Sequence, residues 1–178
     1  VIELILQSFP LAIVASVPLL LAVEGELVLE RAGMINLGVE GMMLVAAMTS
    51  VFAAQVSGSV AIGIAGGIAG AAAVAALFGA FAIHLRADQI VTGTAINLFA
   101  LGITGFVYRE LNDVFTRSVP RIDTAWIAGL AWIAFPIAIA FTLWRTAFGL
   151  RLRACGENPE AVSAAGFGVR AHRWAALA

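Results

Sequence analysis

The sequence predicts an all-α, polytopic transmembrane helix bundle. About five helices span the bilayer, one short helix lies on the cytoplasmic face, and both ends of the chain are truncated. Three observations predict this class. Of the 178 residues, 62% are hydrophobic and only 12% are charged, against about 45–50% and about 25% in ordinary soluble domains. Mean hydropathy is +1.01. The apolar residues also fall into stretches of roughly 20, the length a helix needs to cross the hydrocarbon core. This composition excludes a disordered chain, a nucleic-acid binder and most soluble enzymes. The net charge of −1 points to no class of partner.

The apolar stretches run at residues 4–23, 33–55, 59–85, 89–108 and 124–147. The first is not a signal peptide, because Glu3 precedes it and no basic residue does. The chain begins at Val1 rather than Met. It ends at residues 173–178, a few residues into what reads as a further apolar segment. The expectation is therefore a single transmembrane domain over residues 1–178, present as a fragment, with a cytoplasmic loop at 148–170.

Orientation follows from arginine. If the spans alternate, Arg31, Arg86, Arg145, Arg151, Arg153, Arg170 and Arg173 fall on one side, and Arg109, Arg117 and Arg121 on the other. The richer side is predicted to be cytoplasmic, which places the N-terminus outside. The first inside connection is expected at residues 24–31, and an outer, solvated loop at 109–123.

The third stretch is packed with small residues. Gly63 and Gly67 are four apart, as are Gly66 and Gly70, and Ala71, Ala75 and Gly79 continue the series. Small residues let helix backbones approach closely where lipid removes the hydrophobic drive. Tight packing within the bundle is the expected role.

Polar groups inside the spans are the functional candidates, since an ionisable side chain there costs about 2.5–3.5 kcal/mol even on the lenient insertion scale. The second stretch contains Gly33-Met34-Ile35-Asn36-Leu37-Gly38-Val39-Glu40-Gly41. On a helix, Asn36 and Glu40 would share a face. The glycines permit a break or a close approach, and broken helices in transporters expose backbone groups at a substrate site. Glu40 could equally be hydrogen-bonded to a neighbouring helix and only hold the bundle together. The fourth stretch carries Gln89, Thr92, Gly93, Thr94 and Asn97 as a polar stripe. Uncharged amides and hydroxyls suit a neutral, hydrogen-bonding ligand such as a sugar or nucleoside. The threonines can instead bond carbonyls of their own helix.

All ten basic residues are arginine, so no P-loop lysine can sit on nucleotide phosphates. A lone Cys155 allows no internal disulfide and no thiolate metal cluster. His84 and His172, the only histidines, lie near membrane ends. No nucleophile–base or metal constellation falls within a span, which argues against an intramembrane enzyme. Nothing in the sequence requires a cofactor or a metal.

The inside loop is the richest segment. Asn158 followed by Pro159 reads as an N-cap with proline at the first helical position. Glu160 sits in the first turn, where the helix dipole favours it. Ala161, Ala164 and Ala165 supply a small-residue face, and Gly166 a stop. Such a helix is too short and too polar to span the bilayer, and its smooth face suits a groove on another protein.

This loop resembles the coupling loop of permease subunits of ATP-binding-cassette importers. Glu160-Ala161, with Gly166 six residues after the Glu, is a variant of that loop's pattern, Val162 standing in place of its second Ala. Segments 30–43, 85–102 and 149–166 together are similar to the nucleoside and simple-sugar permeases, which group with the ribose and branched-chain amino-acid permeases. The resemblance implies a second permease subunit, ATPase subunits inside, and an extracytoplasmic substrate-binding protein. It also implies a multi-pass location in the cell's inner (plasma) membrane, with no role for nucleic acid. It makes Asn36, Glu40, Gln89, Thr94 and Asn97 candidates for the substrate pathway. Gly156, Glu157, Asn158, Glu160, Ala161 and Gly166 become candidates for ATPase coupling. A transporter or channel that needs no ATPase is the alternative, although it leaves the capped helix without a task.

Overall fold

Proline decides where the first span bends. The computed structural model describes residues 2–111 and 125–178, with side chains over 8–111 and 126–178. Helix α1 (Ile2–Ala15) and helix α2 (Val17–Arg31) meet across Ser16 at 41°. Pro18 has no N–H for the carbonyl one turn back, and its ring crowds that carbonyl. The Ser16 hydroxyl donates to the Ile13 carbonyl at 2.8 Å and satisfies one acceptor beside the break.

Helix α3 (Val39–Ser57) turns at Gly58, φ +68°, into helix α4 (Val60–Gly79). A π-helical turn, Ala80–His84, extends α4, so the rod runs over Val60–His84. The small-residue stripe does what its sequence predicts. A Cβ placed on Gly63 or Gly66 would lie 2.7 Å from the Cβ of Ala54 or Ala53 on α3, and one on Gly70 would collide with Thr49. Gly79, at the end of the stripe, faces the Trp174 ring instead.

Helix α5 (Gln89–Glu110) starts at Asp88, whose carboxylate accepts from the Ile90 and Val91 N–H groups at 2.9 and 3.0 Å. The outer loop predicted at 109–123 lies outside the described residues from 112 onward. The next span runs on over Trp126–Arg145 but contains a π turn. Helix α6 (Ala125–Gly129) passes through a π turn, Leu130–Ala134, into α7 (Phe135–Arg145), with Pro136 in the first turn of α7. Proline again removes a ladder bond, and the wider turn absorbs the mismatch. Helices α8 (Ala147–Glu157), α9 (Pro159–Ala164) and α10 (Val169–Leu177) follow.

Among the described residues, four helices are long and apolar enough to cross a membrane, and the bent α1–α2 pair passes the same test together, which gives five if that pair is one span. Three expectations need correction. Residues 24–31 are helix, not a connection: Leu27, Val28 and Leu29 carry the apolar pattern through the glutamates, and Leu29 is buried. The second span begins at Val39 rather than at 33, because Gly33 takes a left-handed φ of +75° that stops the preceding helix. Residues 147–157 form a helix of their own, capped by the Thr146 hydroxyl on the Gly149 N–H at 3.0 Å.

The main core joins Leu29, Met34, Met42, Phe78, Ile83 and Ile96, with Trp174 and Leu177 of α10 packed against it. A second cluster, Ala32, Leu143 and Leu152, ties α8 to the end of α2. The arginines assigned to one face gather at one end. Arg31 and Arg153 sit over the Trp144 ring at 5.7 and 4.2 Å, while Arg86, Arg170 and Arg173 line one cavity.

Candidate functional site

Helix α2 ends in a Schellman turn. The Met34 N–H donates to the Leu29 carbonyl at 3.2 Å and the Gly33 N–H to the Glu30 carbonyl at 2.9 Å. Gly33 holds the left-handed position that this motif requires. Met34 and Leu29 share the buried cluster, which supplies the motif's hydrophobic contact. The chain then runs without helix until Val39.

An unwound segment within a membrane bundle must find partners for its backbone groups, because lipid offers none. The candidate polar residues provide them. Gln89 Oε1 accepts from the Ile35 N–H at 2.7 Å. Glu26 Oε1 accepts from the Asn36 N–H at 2.7 Å. Asn36, only 4% exposed, folds back so that its Oδ1 accepts from the Gly38 N–H at 2.9 Å. Asn97 works at both ends of its amide: Nδ2 donates to the Leu37 carbonyl at 2.6 Å, and Oδ1 accepts from the Gly41 N–H at 2.7 Å. Gly93 makes this approach possible, since a Cβ there would lie 2.7 Å from the Gly38 nitrogen.

Asn36, Glu40, Gln89 and Asn97 are thus brought to one place, but not as stated for a helix. Asn36 precedes α3, so it shares no helical face with Glu40. Glu40 is exposed in the first turn of α3, where the helix dipole favours a carboxylate, and its Oε2 lies 3.4 Å from Asn97 Nδ2. Thr94 stands apart. It is exposed, and its hydroxyl donates to the Ile90 carbonyl of its own helix at 2.8 Å. Thr92 does the same to the Asp88 carbonyl.

The reading of the sequence missed Glu26, whose signal was hidden by placing residues 24–31 in a loop. It also missed Gly93 as a point of backbone contact. Glu24 is buried, and its Oε1 has no hydrogen-bond partner among the described residues.

The short helix α9 forms as its sequence predicts. Asn158 Oδ1 accepts from the Ala161 N–H at 3.0 Å, and Glu160 lies in the first turn, exposed. Its end is a second Schellman turn: Gly166, φ +84°, donates to the Ser163 carbonyl at 3.0 Å and Phe167 to the Val162 carbonyl at 3.1 Å. Val162 is buried, whereas Glu157, Ala161 and Gly166 face outward. Arg151 lies 4.2 Å from the Phe167 ring centre and braces the turn.

The two sites touch through backbone. A Cβ on Gly156, the penultimate residue of α8, would lie 2.6 Å from the Arg31 carbonyl oxygen and 3.0 Å from the Gly33 nitrogen. Arg173 Nε donates to the Ala32 carbonyl at 3.4 Å. Cys155 beside it is buried, and burial pushes its thiol up, with Arg173 partly opposing the shift.

The family model for the permease component of the branched-chain amino acid transport system matches residues 8–178. A guanosine ABC transporter permease of Bacillus subtilis (strain 168) is 30% identical over 98% of this chain and 63% of its own length. A nucleoside ABC transporter permease of Lactococcus lactis subsp. cremoris is 31% identical over 93% of this chain and 60% of its own length. A putative glucose ABC transporter permease of Haloferax volcanii is 33% identical over 92% of this chain and 55% of its own length. The chain spans about three-fifths of the length of these curated relatives. No solved structure matches it. With nearly all of its residues matched, the chain belongs to the family of branched-chain amino acid transport system permease components.

Proposed function

We propose that this chain serves as a transmembrane permease subunit of an ATP-binding-cassette importer for a nucleoside or simple sugar in the cell's inner membrane. The observation that carries the reading is the Gly33–Gly156 backbone contact, which joins a capped surface helix to an unwound segment inside the bundle. A surface knob connected rigidly to a broken helix is a means of turning a partner's motion into a rearrangement of the pathway. ATP hydrolysis belongs to other chains, since this one has no lysine for nucleotide phosphates. The partners are ATPase subunits docked at Asn158–Gly166, a second permease subunit and an extracytoplasmic binding protein.

In this mechanism the α9 helix and its flanks, Gly156 and Glu157 included, follow the ATPase. Helix α8 carries the displacement to Arg31–Gly33. The bonds that Gln89, Glu26 and Asn97 make to residues 35–41 then exchange. Released amides and carbonyls can receive the hydroxyls of a neutral solute, so Asn36, Glu40, Gln89 and Asn97 line the pathway. Thr94 belongs there only if α5 rotates. The solutes for which the relatives are named (guanosine, nucleoside, glucose) favour the same chemical class.

The test is uptake into proteoliposomes holding the full transporter. Labelled guanosine, uridine and glucose are offered with binding protein outside and ATP at the ATPase side. Accumulation of one of them that requires both ATP and binding protein is expected. Equal flux with the permease subunits alone would overturn the reading.

A further inference from the structure

A cavity of about 840 Å³ opens between the α4–α5 connection, the short helix α9 and the start of α10, within the range of about 300–1,000 Å³ typical of ligand sites. Three arginines line it: Arg86, Arg170 and Arg173. Glu160 is its one carboxylate. None of the three arginines forms an ion pair with a described residue. Arg173 uses its Nε on the Ala32 carbonyl, which leaves its terminal nitrogens for the cavity.

Two further observations locate the site. Ala82 and Ile83, which form the floor, belong to the last turn of a membrane span, and Gln89 in its wall is the first residue of the next. Leu85, between the floor and Arg86, is 69% exposed. With these two helices crossing a membrane in the orientation that the arginines predict, the cavity would lie at the edge of the hydrocarbon, level with the inner-leaflet phosphates. Arg86 also holds a left-handed backbone, φ +54°, the one non-glycine among the described residues to do so. The Leu85 N–H on the Ala80 carbonyl and the Ala87 N–H on the Phe81 carbonyl, at 3.1 and 3.0 Å, keep it there. Such strain persists where surrounding structure fixes it, commonly at binding sites.

We propose that this cavity binds the headgroup of an anionic phospholipid, with the phosphodiester on Arg86, Arg170 and Arg173. Guanidinium groups bind phosphate oxygens in a fork geometry, and basic pockets between spans on the cytoplasmic side are suited to lipid headgroups. Glu160 and Ser163 fit a headgroup with hydroxyls, phosphatidylglycerol above all, as acceptors for its glycerol O–H groups. Because both belong to α9, the lipid would set the resting position of the helix that the ATPase engages.

The test uses the complete transporter with its ATPase subunits, in nanodiscs of phosphatidylcholine with a minority of phosphatidylglycerol. After extraction, native mass spectrometry counts the phosphatidylglycerol that remains bound. Retention is expected to fall about fivefold for each arginine removed in the Arg86→Gln and Arg170→Gln variants, and to be unchanged in Arg145→Gln, an arginine outside the cavity. Arg86→Gly relieves the left-handed strain while removing the charge, so it should lose lipid without a lower Tm. Equal retention in all variants overturns the proposal. So does displacement of the lipid by millimolar inorganic phosphate, which would make the cavity a soluble-anion site. Lipid that binds the isolated permease but is absent from the assembled transporter would assign the cavity to an acidic face of the ATPase, and would also overturn it.

Discussion

Gly156 and Gly33 meet backbone to backbone: a Cβ on Gly33 would lie 2.8 Å from the Gly156 Cα. Contact at this range admits no side chain on either residue. Gly156→Ala is therefore expected to destabilise the protein by about 1–3 kcal/mol through overpacking. Coupled uptake should fall more than the ATPase activity of the complex, because the misfit lies on the connection between them. Thermal unfolding and the ratio of solute moved to ATP hydrolysed check both parts.

Asn97 satisfies a carbonyl and an amide of the unwound segment with one side chain. Asn97→Leu leaves both orphaned and should cost about 1–3 kcal/mol for each group. Asn97→Asp, combined with Glu40→Gln so that no second carboxylate lies 3.4 Å away, keeps the acceptor for the Gly41 N–H and loses the donor to Leu37, so its Tm should lie between those of the wild type and Asn97→Leu. Equal melting of the two variants would count against the bridging role.

Glu160 is exposed and makes no hydrogen bond to a described residue, but it lies in the first turn of α9 beside three arginines, so Glu160→Arg should cost stability only about 1 kcal/mol, through the helix dipole and like charge. Where a docked partner meets this carboxylate with basic groups, reversing its charge places like charges together, which costs several kcal/mol in binding. Coupled uptake should drop by about tenfold or more. An unchanged rate of ATP-driven uptake would remove Glu160 from the coupling surface.

Cys155 is a buried thiol whose burial favours the neutral form. Because the folded-state value is raised, its contribution to stability is full below the ordinary thiol range and is lost as pH climbs through the raised value. The unfolded chain gives up its proton first. The alkaline slope of Tm against pH should be shallower in Cys155→Ala. Maleimide should label the folded protein slowly near neutral pH, since the thiolate is the reactive form.

The spans were legible because hydrophobicity is a sum over about 20 residues and tolerates errors at single positions. The α9 helix was legible because its signals are local: an Asn158 cap, a proline behind it and a glycine stop. The α3–α4 packing was legible because glycines four apart leave few other reasons for their spacing. What escaped depends on contacts distant in sequence. Nothing near Asn36 indicates that Glu26 takes its N–H, or that Gln89, 54 residues later, takes the N–H of Ile35. The polar residues were found for their cost in the membrane, but their geometry follows from a break whose hydrogen bonds are paired through space. Residues 147–157 were misread because two arginines and a glutamate among the leucines look like a loop, whereas they form a helix.

The glycine seam between α3 and α4 has a mechanical consequence. Four glycines of α4 press against the small side chains of Thr49, Ser50, Ala53 and Ala54 on α3, which leaves the pair little room to slide or splay, so it tilts as one beam. The hinge of that beam is the unwound segment ahead of Val39. A beam of this length, roughly 28 Å over the 19 residues of α3, converts a few degrees at its foot into a displacement of an ångström or two at the Gly58 turn. A small adjustment beside Gly156 would thus be felt at the far end of the bundle, about a helix length away.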